Sequence, residues 1–276
     1  MSSSILSGEF MNHRQSNKYK NYLLDLFESE SWGPEKLFEM LGRRGFLVKF
    51  TEGKIYMSAG HSKSDYEYLE RFADQKPFLI KTNEPSFPFQ IDFNSFSKSK
   101  VLSMFTDTPC EAEPFFKYET RGDSFKSFVN NRFGRKVPLE QLDIGVASFV
   151  KTLPLLSVVT SYSCDGHDKE APSIEFNCKI NMEWHRYLEL FFLRPNNLFP
   201  KSYFVYTNGK FRNGGVEIHP TGSYLETFNE LYEASQFMRK PESRRAILIL
   251  KEQFIELWAQ GGVEAVYQAE AKKVGS

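Results

Sequence analysis

The chain has 276 residues, 41% of them hydrophobic and 25% charged, a balance that argues against intrinsic disorder and leaves room for one large core or two smaller ones. Thirty-five Lys plus Arg stand against thirty-five Asp plus Glu, so no global field favours nucleic acid or an anionic membrane. Three cysteines, Cys110, Cys164 and Cys178, are an odd set with no disulfide framework, and the apolar runs are too short to span a bilayer. With no basic n-region or long apolar core in Met1 to Phe10, the expectation is a soluble cytoplasmic protein with reduced thiols.

In chain order, Tyr19, Tyr22, Leu23 and Leu26 recur at helical spacing. Pro34 suits the first turn of a second helix, and Gly42 and Gly45 end it. Phe46, Val48 and Phe50 alternate ahead of Glu52-Gly53 and Lys54 to Met57, the pattern of a hairpin. Ser62 to Asp65 resembles a capping box before a helix carrying Leu69, Phe72 and Ala73, and Pro77 to Thr82 reads as a strand. Residues 1–84 thus form an N-terminal α+β lobe. Residues 85–136 lose periodicity at Pro85, Pro88, Pro109 and Pro114 but keep many Phe residues, which predicts an irregular aromatic-rich connecting arm. Its basic residues, Arg132 and Arg135 among them, interleave with aromatics; without support from net charge, direct nucleic-acid binding is not expected.

Residues 137–276 read as a second α+β lobe of strands covered by helices. One helix is predicted from Pro138 to Leu153, stopped by Pro154. Strands follow at Val158 to Ser163 and Ser173 to Cys178, then a helix carrying Trp184, Tyr187, Leu188 and Phe191. Tyr203 to Thr207, Asn208-Gly209 and Lys210 to Arg212 have the form of a type I′ hairpin, with Val216 to His219 beyond a bulge. Two helices close the chain, Tyr224 to Met238 and one after Pro241 that Gly261-Gly262 is expected to stop.

The densest chemistry is Ser157 to His167, where a strand-like run ends in Cys164-Asp165-Gly166-His167. Cys164, His167, Cys178 and His185 are four ligand types in a short span and define an alternative zinc reading. The paired C-x2-C and H-x3-H clips are absent, so the adopted reading is no metal and no cofactor, with Cys178 in the core and His185 on a helix surface. Cys164 with His167 also suggests a thiolate–imidazole pair, but no oxyanion-hole sequence, nucleophile elbow or phosphate-binding loop accompanies it. No catalytic residue is assigned.

The Tyr162-Ser163-Cys164-Asp165-Gly166-His167 element resembles a Tyr/Phe-Ser-Cys-x-Gly-His element of phage and plasmid proteins. Its layout is also similar to the wybutosine-synthesis methyltransferase-like family, which has Arg where this chain has His167. In its aromatic complement, its arm between lobes and its lack of catalytic signatures, the chain resembles the phage-encoded Gabija anti-defence proteins. That resemblance implies a non-enzymatic, homo-oligomeric inhibitor in the host cytoplasm, one that wraps a host defence nuclease complex and blocks DNA access. Phe115, Phe116, Tyr118 and Phe128 are the candidate partner contacts. The alternative is an RNA-modifying or zinc-dependent enzyme using the Cys164–His167 turn.

Overall fold

The computed structural model of the chain describes residues 17–106, 128–129, 137–207 and 214–274. Helix α1 (Asn17–Ser29) buries Tyr19, Leu23 and Phe27, one side chain per turn. Pro34 opens α2 (Pro34–Arg44), and Gly45, at φ 102°, closes it: Gly45 N–H donates to the Gly42 carbonyl and Phe46 N–H to that of Leu41. Strands β1 (Val48–Thr51) and β2 (Lys54–Met57) pair as a hairpin about Glu52 and Gly53, both at positive φ. Ser62 and Asp65 form a reciprocal capping box at the start of α3 (Lys63–Glu70).

Strand β3 (Leu79–Lys81) pairs with β4 (Phe89–Ile91), which also pairs with β2, giving an antiparallel sheet in the order β1-β2-β4-β3. Strand β4 falls inside the stretch expected to be a connecting arm. Within and just after α4 (Lys98–Ser103), Val101, Met104 and Phe105 are fully buried. Residues 85–106 therefore complete the first sheet and its core, while 107–127 and 130–136 of the expected arm lie outside the described residues.

The helix expected from Pro138 to Leu153 is divided. A 3-10 turn (Leu139–Gln141) gives way to extended backbone at Leu142 and Asp143 before α5 (Ile144–Thr152) begins. The break turns Asp143 inward, where its carboxylate accepts the Asp165 N–H. Strands β5 (Thr160–Cys164) and β6 (Ser173–Phe176) are neighbours, as expected. Helix α6 (Lys179–Leu188) ends in a π turn (Glu189–Leu193). Strands β7 (Ser202–Thr207) and β8 (Gly215–Pro220) complete a second antiparallel sheet, β5-β6-β8-β7. Strand β7 pairs with β8, Thr207 lying opposite Gly215; the turn expected at Asn208-Gly209 and the strand expected at Lys210 to Arg212 lie outside the described residues.

Helix α7 (Tyr224–Met238) starts on a second capping box, Ser223 with Glu226. Helix α8 (Pro241–Val274) leaves helical geometry at Gly261 and Gly262 and then resumes, so the glycines interrupt it without stopping it. The fold is α+β. Every residue of α5 is buried, against α2 on one side and α7 on another, and a continuous apolar core runs across both sheets. The two expected lobes thus appear as two sheets sharing one core. Among the described residues, no helix is long and apolar enough to cross a membrane.

Candidate functional site

Strand β5 delivers Cys164 to a sharp turn in which Gly166, His167 and Asp168 all take positive φ (78°, 51° and 64°). Only glycine adopts this region without strain, so the surrounding bonds must hold the other two residues there. His167 N–H donates to Asp165 Oδ1 (3.0 Å), Gly166 N–H to Cys164 Sγ (3.3 Å), and the Lys18 N–H of α1 to Asp168 Oδ2 (3.0 Å). The turn folds the imidazole back over the thiol. His167 Nε2 lies 3.4 Å from Cys164 Sγ, and its Nδ1 lies 3.1 Å from Asp165 Oδ1.

Asp143 enters from the break before α5, its Oδ2 accepting the Asp165 N–H at 3.2 Å. One ligand-type atom from each of Asp143, Cys164, Asp165 and His167 lies within 4.8 Å of the others. Gly145 allows this approach: a Cβ there would stand 2.6 Å from Phe228 Cε1 and 3.0 Å from the Asp165 Cβ. Both carboxylates are buried, whereas Cys164 and His167 are partly exposed.

Burial, and then the Asp165 charge, pushes the Asp143 carboxyl up to about 8. Burial and the charge of Asp143 push the Cys164 thiol up to about 12, and burial with Cys164 raises Tyr162 as well. The thiol is therefore protonated at neutral pH, the reverse of the lowered thiol that a thiolate–imidazole nucleophile needs. Arg44, 1% exposed, is the cation whose charge acts on Asp143; its Nη1 has no hydrogen-bond partner among the described residues.

Of the four ligands read from the sequence, only Cys164 and His167 meet. Cys178 is buried and its sulfur accepts from Asn181 Nδ2 (3.0 Å). His185 is not on a helix surface: it is fully buried among Phe149, Phe176, Phe204 and Tyr206, with Nδ1 2.8 Å from the Tyr206 hydroxyl, and burial pulls it down to about 3. Asp143 and Asp165 take their places. In the sequence Asp165 stands out only as part of the run that ends in His167, and Asp143 falls inside the helix expected from Pro138 to Leu153.

Phe115, Phe116 and Tyr118 lie outside the described residues, as do Arg132 and Arg135. Phe128 is 2% exposed, packed edge-on to Trp184 and Phe254, and its carbonyl accepts from Lys251 Nζ (3.2 Å). It is a core side chain and not a surface contact. A second polar cluster, absent from the sequence reading, links Asp65 to His61 and Lys151 beside a cavity of about 350 Å³ lined by Ser58, Gly60, Pro85, Lys151, Leu155 and Arg244.

Comparisons with protein-family models, curated proteins and solved structures find no match to this chain.

Proposed function

We propose that the protein acts by binding another protein, as a non-enzymatic phage inhibitor of a bacterial defence nuclease complex, blocking its access to DNA in the host cytoplasm. One observation carries this reading. Of the five large hydrophobic side chains exposed among the described residues, three belong to α8 or to the segment seated on it: Leu248 at 56%, Ile249 at 52%, and Val129 beside the anchored Phe128. Two adjacent exposed apolar side chains on α8, with a third on the segment packed against that helix, are the kind of surface a protein interface uses. The segment Phe128 anchors also ends the aromatic-rich stretch that includes Phe115, Phe116 and Tyr118. Homo-oligomerisation, expected from the same resemblance, belongs to this proposal.

The test is purification of tagged protein from bacteria carrying a nuclease defence complex, with DNA binding by the captured complex measured alongside. Stoichiometric capture and lost DNA binding are expected, both abolished by a Leu248→Asp/Ile249→Asp double substitution. Capture unaffected by that substitution, or DNA binding unaffected by the protein, overturns the reading.

A zinc-dependent or RNA-modifying enzyme is the second reading, favoured by the convergence of Asp143, Cys164, Asp165 and His167. Loss of a measured activity in a folded Cys164→Ala variant would support it, and retention would count against it.

A further inference from the structure

We infer that Asp143, Cys164 and His167 form a three-ligand site for a divalent transition metal of the zinc class, with Asp165 as the residue that orients His167. The ligand chemistry selects the ion. One thiolate, one imidazole and one carboxylate form a mixed sulfur, nitrogen and oxygen set that suits zinc and disfavours calcium or magnesium, which prefer oxygen alone.

The spacing agrees with a tetrahedral centre. Zinc–sulfur and zinc–nitrogen bonds of usual length place the two ligand atoms about 3.5 Å apart at a tetrahedral angle. Cys164 Sγ and His167 Nε2 are already 3.4 Å apart. The Asp143 carboxylate lies within 4.8 Å of both and closes on the ion by side-chain rotation.

The arrangement around the ligands agrees as well. Metal-binding histidines donate their other ring N–H to a carboxylate, which fixes the tautomer and directs the free nitrogen at the ion. Asp165 Oδ1 stands 3.1 Å from His167 Nδ1, at ion-pair distance but not aligned for a hydrogen bond, so a rotation of the ring completes that role while Nε2 faces Cys164. On binding, the thiol proton and the Asp143 carboxyl proton both leave to solvent, and the sulfur and a carboxylate oxygen take the metal. Two carboxylates, one thiolate and one divalent ion leave a single negative charge, opposite the buried Arg44 cation that acts on Asp143. With Cys164 and His167 partly exposed, the fourth position lies on their side and takes water or an outside ligand.

A zinc-dependent activity rests on such a site, but the site does not rest on an activity. A bound ion without catalysis would remove the enzyme reading alone; an activity with no ion would remove this site alone.

The experiment uses full-length protein without a histidine tag, stripped with chelator and titrated with Zn²⁺ by calorimetry and with Co²⁺ by absorption. One ion per chain and a thiolate-to-cobalt charge-transfer band are expected. Cys164→Ser should abolish the band, and Cys178→Ser should leave it unchanged. Asp165→Asn should keep the band while weakening affinity by roughly 10- to 100-fold, as loss of an orienting partner does. No stoichiometric ion in the wild-type protein, a band that survives Cys164→Ser, or one lost in folded Cys178→Ser overturns the site.

Discussion

Lys151 Nζ lies 2.6 Å from Asp65 Oδ2, a fully buried ion pair that reaches from α5 to α3 across 86 residues of sequence. Both partners make further bonds. Asp65 also accepts from the N–H groups of Ser62 and Leu139 and pairs with His61 Nδ1, while Lys151 donates a second bond to the Val137 carbonyl. Burial would raise the Asp65 carboxyl, but the His61 hydrogen bond and the Lys151 charge hold it below its ordinary value. The pair ties the first capping box to the central helix.

Removing one partner leaves the other charge buried alone, so Lys151→Met should cost about 3–5 kcal/mol. Asp65→Asn in the Lys151→Met background removes that orphaned charge and keeps a side-chain oxygen for the Ser62 N–H, while the Leu139 N–H, which bonds the other carboxylate oxygen, loses its acceptor. The double variant should therefore be more stable than Lys151→Met. Urea denaturation of the four proteins in the cycle decides it, and simple additivity would show that the two groups are not coupled.

Stability should fall in acid because His61 and His185 are buried neutral. Burial lowers His61 to about 4 and His185 to about 3, both below the ordinary value of 6.5. Between those values and 6.5 the unfolded chain binds more protons than the folded one, so stability rises with pH there and is lost as pH drops. Asp143 acts in the opposite sense: its raised pKa makes the folded chain the better proton binder from its ordinary value of 3.8 up to about 8. A difference measurement separates the two effects. Relative to His185→Gln, the wild-type protein should lose up to about 1.4 kcal/mol per pH unit below pH 6.5. Parallel stability curves for the two proteins would assign the acid sensitivity elsewhere.

Phe128→Ala should unfold the protein more readily, by about 3–5 kcal/mol, because it empties space between Trp184 and Phe254. Phe128→Leu should cost less. A shift in denaturation midpoint follows from the core position, whereas a partner-binding defect at unchanged stability would return Phe128 to the surface.

What could be read from the sequence was local. The Pro34 start and Gly45 stop of α2, the Ser62–Asp65 capping box and the β1–β2 hairpin each depend on residues within one turn of each other, and each formed as expected. Strand β4 was hidden because it has only three residues in a stretch rich in Phe and Pro, and its strand character comes from β2 and β3. Half of the candidate site was legible for the same reason. Cys164 and His167 meet through a turn, whereas Asp143 arrives from 22 residues upstream through a helix break that no periodicity marks. His185 was misplaced because a polar residue at helical spacing looks like a surface residue; here four aromatic rings enclose it.

The close approach of α5 to the turn supplies the last prediction. In an unobstructed helix, Gly145→Ala would stabilise by about 1 kcal/mol through backbone propensity. Here the new methyl would meet Phe228 at 2.6 Å and the Asp165 Cβ at 3.0 Å. Neither neighbour is a loose chain end: Phe228 is buried in the core, and Asp165 is held by its N–H on Asp143 and its carboxylate on the His167 N–H. Overpacking of this kind costs about 1–3 kcal/mol and outweighs the propensity gain. Gly145→Ala should therefore lower the denaturation midpoint and disturb the His167 ring signals by NMR, because displacing Asp165 removes the contact at Nδ1. A stabilised variant with unchanged His167 signals would mean that α5 has room to move and that the turn does not depend on this glycine.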